Sequence, residues 1–405
     1  MLPRIITDLH VSIGDLDQAA WLVTAYLLGF TAAMPLVGRL ADAHGLQRAF
    51  AGCAALFAAG SLWGALAPDL WQLVAARGVQ AVGGGGMVPI ALAAVPARRR
   101  LLGLGVVLAA AEAGSVLGPL YGALMVHTYG WRSVFWINLP LTGLLLFGLV
   151  TLSSHGAGGR GYVRPVLAGV TLGALAVGLA ADLSWRARAP ALAVAAALAL
   201  QARRLRPSPG VAANFFVGAA LIVALVILPV HANVVRHVDA THGALTLVQL
   251  TALIPVGALL GARFPQLAPA GMLLAAAGFV WLSQTDRLLA LDLGLTGLGF
   301  GLVLAPVAAA AIERARGSEA AAAAALTVGR MVGMMVGLAS LTTWGLQEFN
   351  RRAGRYRLPT TAAEREPYER HLTDAALYVF GRLYLIAAAL CVAGALAVVL
   401  DRRER

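Results

Sequence analysis

Uninterrupted apolar runs recur along the chain, each bounded by short clusters of Arg, Asp, Pro or Gly. They fall at 19–38, 49–67, 71–95, 101–126, 133–152, 166–184, 189–201, 213–235, 243–262, 267–284, 288–312, 320–345 and 375–400. A helix rises about 1.5 Å per residue and the hydrocarbon core of a bilayer is about 30 Å thick, so a crossing needs roughly 20 apolar residues. The pattern therefore predicts about thirteen membrane-crossing helices. The run at 189–201 is short for a crossing and fits a re-entrant or strongly tilted segment as well as a span.

Composition narrows the class. Of 405 residues, 60% are hydrophobic and 12% charged, with a mean hydropathy of +0.79. That leaves too few charges to coat a water-soluble globule of this length, which excludes a soluble multidomain enzyme. The net charge of +12 comes entirely from Arg, since the chain has no Lys. No basic stripe with interleaved aromatics is present, so the positive charge does not point to nucleic acid. Cys53 and Cys391 lie inside apolar runs and predict small core residues rather than a disulfide framework.

The arginines instead report topology, because positive charge is retained on the cytoplasmic side. One alternating set of loops holds Arg39, Arg48, Arg98 to Arg100, Arg160, Arg164, Arg203, Arg204, Arg206, Arg263, Arg314, Arg316, Arg402, Arg403 and Arg405, against Arg4, Arg132, Arg186, Arg188, Arg236 and Arg287 in the other. The first set is expected to be cytoplasmic, which puts the C-terminus inside and residues 1–18 outside. The exception is 346–374, where six arginines are offset by Glu348, Glu364, Glu366, Glu369 and Asp374. Met1-Leu2-Pro3 is no signal peptide, so the expectation is that one spanning helix upstream of Met1 is missing from this chain.

Four motif-like stretches follow one another in order. The first loop reads Gly38-Arg39-Leu40-Ala41-Asp42-Ala43-His44-Gly45-Leu46-Gln47-Arg48. Here glycine allows close helix approach, and a carboxylate at the membrane edge can face the positive N-terminus of another helix. Arg77-Gly78-Val79-Gln80-Ala81-Val82-Gly83-Gly84 places an arginine inside an apolar run, where it needs a polar cavity or a carboxylate unless it snorkels to an end. Glu112-Ala113-Gly114-Ser115-Val116-Leu117-Gly118-Pro119-Leu120-Tyr121-Gly122 spaces small residues for a close-packing groove and adds a bending proline. Trp131-Arg132-Ser133-Val134-Phe135-Trp136-Ile137-Asn138-Leu139-Pro140 follows it.

These stretches resemble, in sequence order, the loop signature between helices 2 and 3, the helix 4 pattern, the helix 5 antiporter motif and the helix 6 entrance of the major facilitator superfamily, in its fourteen-helix drug/proton antiporter branch. Gly38, Leu40, Asp42, Gly45 and Arg48 fit the loop signature, while Ala43, Leu46 and Gln47 stand where basic residues are usual. Gly261-Ala262-Arg263-Phe264 and Gly329-Arg330-Met331-Val332-Gly333-Met334-Met335-Val336-Gly337 look like their counterparts in the second half. The resemblance implies an all-α polytopic membrane fold with two pseudo-symmetric six-helix halves. Residues 1–152 would carry helices 2 to 6, residues 153–208 two linker helices, and residues 209–405 helices 7 to 12. It also implies that Asp42 meets the helix beginning near Ser318.

Two features are similar to the mycobacterial triacylglyceride exporters of this branch, which work with a periplasmic lipoprotein. One is Glu112 in place of a neutral residue. The other is the periplasmic extension 346–374, approached by Trp344 and Phe349 and left through Tyr368. The expected function is proton-coupled, alternating-access export of a lipophilic compound, a triacylglyceride-like lipid, by a monomer in the bacterial inner membrane, with the proton gradient in place of a cofactor. A multidrug/proton antiporter and a non-transporting membrane scaffold or sensor are the alternatives, and no nucleophile and base pattern suggests an enzyme.

Glu112 and Arg330 sit on pseudo-symmetric helices and each carries an unexplained intramembrane charge. They are expected to pair across the two halves and to open as the halves rock. A purely structural buried pair is the alternative. Asp182 and Asp292 lie near run ends and are expected to be solvated, and the scattered histidines predict no metal site. The branch usually carries an acidic proton site in helix 1, a role no residue here inherits.

Overall fold

In the computed structural model, the described residues are 21–148, 208–236, 240–285, 290–354 and 362–403, with Ile5, Asp8, Leu9 and Gln18. The two linker helices expected at 166–184 and 189–201, and Asp182 with them, lie outside the described residues. Thirteen α-helices and no strand occur among those that are described. They are α1 (Trp21–His44), α2 (Leu46–Leu66), α3 (Leu70–Ala93), α4 (Arg100–Tyr129), α5 (Ser133–Trp136), α6 (Asn138–Gly148), α7 (Pro209–Arg236), α8 (Ala240–Thr251), α9 (Ile254–Arg263), α10 (Ala268–Leu282), α11 (Ala290–Arg314), α12 (Glu319–Ala353) and α13 (Ala362–Arg403). Seven stretches of helix among the described residues are long and apolar enough to cross a membrane.

Among the described residues, most apolar runs form single helices and two do not. The run at 243–262 is divided into α8 and α9 around Ala252 and Leu253. Pro255 opens α9 and has no N–H to continue the ladder from α8. The run at 133–152 begins with the single turn of α5 and resumes at Asn138. At the other extreme α12 and α13 overrun their apolar segments. α13 begins 13 residues before the apolar run at 375–400, roughly 20 Å of extra helix.

The chain forms two compact units. The first comprises residues 1–100, 117–206 and 310–328, and the second residues 101–116, 207–309 and 329–405. In the first unit the glycine run of α3 is the organising feature. A Cβ at Gly83 would collide with Cys53 and Phe57 of α2, and one at Gly85 with the Phe30 backbone of α1. α3 can therefore lie close to both neighbours at once, and a second core forms around buried Trp131 and Phe135. Trp131 Nε1–H donates to Asp8 Oδ2 over 2.8 Å, and the Arg132 guanidinium lies over the Trp131 ring and donates to the Ala67 carbonyl.

The second unit repeats the principle. Gly257 and Gly261 of α9 face the Leu298 and Leu302 backbones of α11, and Gly271 of α10 faces Gly299. Gly329, Gly333 and Gly337 recur every four residues along one face of α12. They meet Val211, Phe215 and Ala219 of α7, while Gly218 of α7 faces the Arg330 carbonyl in return. With helix interfaces enriched in small residues, backbones approach closely and dispersion replaces the hydrophobic effect that lipid cannot supply.

Candidate functional site

Three polar clusters interrupt the apolar packing. The first is built by the loop after α1. Gly45 has φ +94°, a left-handed conformation that favours glycine, and it lets the chain turn directly from α1 into α2. Asp42 is 6% exposed and lies past the end of its apolar run. Its two carboxylate oxygens each accept a backbone N–H from the first turn of α12, Ala320 to Oδ1 and Ala321 to Oδ2, both at 2.9 Å. A carboxylate thereby satisfies two of the donors that every helix N-terminus leaves unpaired and meets the positive end of the helix dipole. Gly38, one turn earlier, makes room, since a Cβ there would crowd the Ala320 carbonyl. Burial pushes the Asp42 carboxyl above its usual range, the two N–H donations pull it back, Glu319 raises it and Arg39 lowers it. Arg48 is exposed at the start of α2.

The second cluster is Glu112 of α4 with Arg330 of α12, both in the second unit. Arg330 Nη1 lies 2.5 Å from Glu112 Oε1, and the side chains are 17% and 7% exposed. Gly105, two turns before Glu112, lets α4 press against Ala258 and Ala262 of α9. The glycine face that holds α12 against α7 includes both neighbours of the arginine's turn, Gly329 and Gly333. The pair is incomplete as a hydrogen-bonded unit: Arg330 Nε is buried with no hydrogen-bond partner. A buried charge held through one end of its guanidinium is costly in place and easily exchanged for another arrangement.

The third is Arg77 of α3. Its guanidinium lies 4.0 Å from the centre of the Tyr26 ring, and Nη1–H donates to Gln80 Oε1 at 2.6 Å. Gln80 Nε2–H continues to Ser61 Oγ at 2.8 Å, and Ser61 donates to the Phe57 carbonyl. An aromatic face and an amide thus take the place of the carboxylate or polar cavity expected for this arginine.

Other expected residues sit differently. Gly114, Gly118 and Gly122 do not form a filled packing groove, because a Cβ at any of them would meet nothing within 4 Å. Pro119 lies within the continuous helix α4. Asp292, expected near a run end to be solvated, is half-buried in the first turn of α11, with Oδ2 buried and without a hydrogen-bond partner. On the extension, Glu348 is enclosed by two arginine side chains, with Arg351 at 2.5 Å and Arg352 at 2.8 Å. Their hydrogen bonds hold its carboxyl below the usual range. Arg352 also lies 3.4 Å from the centre of the Tyr378 ring, joining α12 to α13. Trp344 and Leu346 are exposed beside this clip, while Phe349 and Tyr368 are half-buried. One grouping had no sequence signal at all: buried His231 of α7 bonds buried Tyr384 of α13, a residue 153 positions away.

The comparisons agree with this architecture. The sequence profile of the Major Facilitator Superfamily matches residues 1–338. The chain is 34% identical over 456 aligned positions to the triacylglyceride transporter of Mycolicibacterium smegmatis, covering 97% of this chain and 81% of that one. It is 33% identical over 460 positions to a protein of Mycobacterium leprae named a probable triacylglyceride transporter, covering 97% and 90%. Among solved structures, the fucose:proton symporter of E. coli superposes with a TM-score of 0.62 at 13% identity, covering 100% of this chain and 94% of that one. A proton:xylose symporter gives 0.61 at 14% identity, with 96% and 89% covered. At such identities the structural likeness speaks for the fold, and the profile and the sequence relatives speak for kinship. With its all-α, multi-pass architecture, this chain belongs to the major facilitator superfamily of transporters.

Proposed function

We propose that the chain is a proton-coupled secondary exporter of lipophilic cargo, a triacylglyceride-like lipid, working by alternating access in the bacterial inner membrane with its C-terminus cytoplasmic. The observation that carries this reading is the Glu112–Arg330 pair, a buried and incompletely satisfied ion pair between α4 and α12, the helix whose N-terminus is held by Asp42. Ala320 and Arg330 are ten residues apart on α12, roughly 15 Å along its axis. Two latches on one helix would hold it at one side of the membrane, and both would release as the halves 1–152 and 209–405 rock. When the pair opens, Glu112 becomes available to a proton and Arg330 seeks a new partner.

Lipid is favoured as cargo by the relatives, which are named as triacylglyceride transporters, and by the extension. There α12 and α13 overrun their apolar segments, carry exposed Trp344 and Leu346, and are clipped by Glu348, Arg352 and Tyr378. A periplasmic lipoprotein that receives the lipid would dock against these overhanging helices. The test is flux in vesicles containing the purified protein and labelled triacylglyceride. Movement of label that depends on an imposed proton gradient is expected. Gradient-driven efflux of drugs with immobile triacylglyceride would replace the lipid reading with a multidrug one.

A further inference from the structure

Arg77 stands seven residues into α3, roughly 10 Å along its axis from Leu70, where an arginine is expensive and usually tied to function. Residues from several elements grip it. Its Cζ lies 4.0 Å from the centre of the Tyr26 ring of α1 and 5.9 Å from the centre of the Phe135 ring of α5, both inside the reach of about 6 Å over which a ring face attracts a cation. At its edge Gln80 Oε1 accepts Nη1–H at 2.6 Å, and Gln80, itself buried, is fixed by donating to Ser61 of α2. Each ring is held in turn. Phe135 is buried, seats on Gly64 of α2, where a Cβ would come within 2.8 Å of the ring, and meets Trp131 edge-on at 6.1 Å. Tyr26 stacks on Phe30, one turn along α1, at 5.8 Å. All of these residues belong to one compact unit.

The chemistry of the clamped group restricts its use. A guanidinium carries N–H donors only, has no acceptor and keeps its proton, so it neither ferries protons nor receives hydrogen bonds. What it can do is donate. One N–H is occupied by Gln80 and the rings lie against its faces, while the side chain as a whole stays half-buried rather than sealed. A triacylglyceride is the reverse, because its polar atoms are ester oxygens, which accept and cannot donate. The two are complementary, and in apolar surroundings a hydrogen bond from a charged donor is among the strong ones.

We infer that Arg77 is a binding site for the ester carbonyls of neutral lipid cargo, and that Tyr26 and Phe135 are its positioning residues, holding the guanidinium plane so that its N–H edge meets a glyceride carbonyl. The inference rests on the lipid reading above and supplies the group that recognises the glyceride. Tyr26 acts through its ring face, so a phenylalanine serves in its place and a leucine does not. Phe135 is set by the α4 to α5 connection, because Trp131 packs on it and is fixed by its bond to Asp8 and by the Arg132 guanidinium over its ring. An arginine that served only to knit α1, α2 and α3 together would make the same contacts whatever the cargo carried.

The test compares a labelled triacylglyceride with its triether analogue, which keeps the three chains and loses every carbonyl. Equilibrium binding to the purified full chain in detergent, with no proton gradient, is the primary measurement. The wild type should bind the ester lipid about tenfold or more tightly than the ether lipid, the worth of one hydrogen bond from a charged donor. Arg77→Gln should abolish most of that preference, Tyr26→Leu should reduce it several-fold, and Tyr26→Phe should retain it. A series of increasingly fluorinated phenylalanines at position 26 should lower it stepwise, because fluorine withdraws charge from the ring face at nearly constant shape. That series also decides the matter should Tyr26→Leu or Arg77→Gln fail to fold. Equal binding of the two lipids by the wild type, or no saturable binding, would overturn the proposal, and a preference indifferent to the fluorinated series would overturn the positioning role of Tyr26. In vesicles the same preference should appear in the half-saturating lipid concentration rather than in the maximal rate. Gradient-driven flux absent from the wild type while the ester preference in binding persists would refute the transport reading and leave the site standing.

Discussion

Consider what happens when one member of the Glu112–Arg330 pair is neutralised. Their contact is 2.5 Å, and the side chains are 7% and 17% exposed, so neither charge is well hydrated. Two unit charges about 4 Å apart attract by about 4 kcal/mol at an effective dielectric constant of about 20. Glu112→Gln removes that attraction and leaves a guanidinium whose Nε already lacks a partner. Stranding a buried charge costs about 3–5 kcal/mol, whereas replacing both members costs little or nothing. A penalty of about 3 kcal/mol would shift a conformational equilibrium by about a hundredfold away from the state that holds the pair. Each single neutralisation, Glu112→Gln or Arg330→Gln, should therefore impair gradient-driven flux strongly. The double variant should be less impaired than either, and the exchange Glu112→Arg with Arg330→Glu should recover part of the rate. Fluxes measured across this cycle in vesicles decide the matter. Effects that add to within about 0.5 kcal/mol would refute the pairing, since contacting groups in one network should couple by more than that.

Other outcomes follow from the same packing. Gly333→Ala should destabilise the protein by about 1–3 kcal/mol, because its Cβ would run into the Phe215 backbone, whereas Gly114→Ala should stabilise it by about 0.5–1 kcal/mol, because its Cβ meets open space in mid-helix; thermal unfolding of the purified variants reads both. Asp42→Ala should cost about 1–2 kcal/mol by uncapping α12, and Asp42→Asn less, because an amide oxygen still accepts one of the two N–H groups. At the extension the sign with pH is set by the depressed Glu348 carboxyl. Its contribution is present above the ordinary carboxylate value of about 4.3 and is lost as pH falls through the lower folded-state value. The stability difference between wild type and Glu348→Gln should hence be constant from about pH 5 to 8 and shrink only in stronger acid.

The helical framework was legible because lipid imposes a simple rule: about 20 apolar residues make a crossing. The same rule explains the misses. An apolar run does not reveal an internal break, and Pro255 looked like one more residue of the run at 243–262 until its missing N–H divided α8 from α9. Long-range polar partners were readable only where a motif encodes them. Asp42 and the α12 N-terminus meet as the resemblance implied, and Glu112 meets Arg330 as two lone charges on equivalent helices suggested. Arg77 found Tyr26, a residue with no charge to advertise it. His231 and Tyr384 are far apart in the chain and each is ordinary in its local context, so only packing could join them. Small-residue spacing was ambiguous in the same way. Gly329, Gly333 and Gly337 are used for close approach, while Gly114, Gly118 and Gly122 have the same spacing and an open face.

The central claim is that opening of the Glu112–Arg330 pair is coupled to proton-driven movement of lipid. Its most direct test is the rate of labelled triacylglyceride transfer from vesicles under an imposed proton gradient, for the wild type, each single neutralisation and the charge exchange. The account predicts gradient-dependent transfer in the wild type, severe loss in both single variants and partial recovery in the exchange. Gradient-independent transfer, or equal loss in the exchange and the singles, would contradict it.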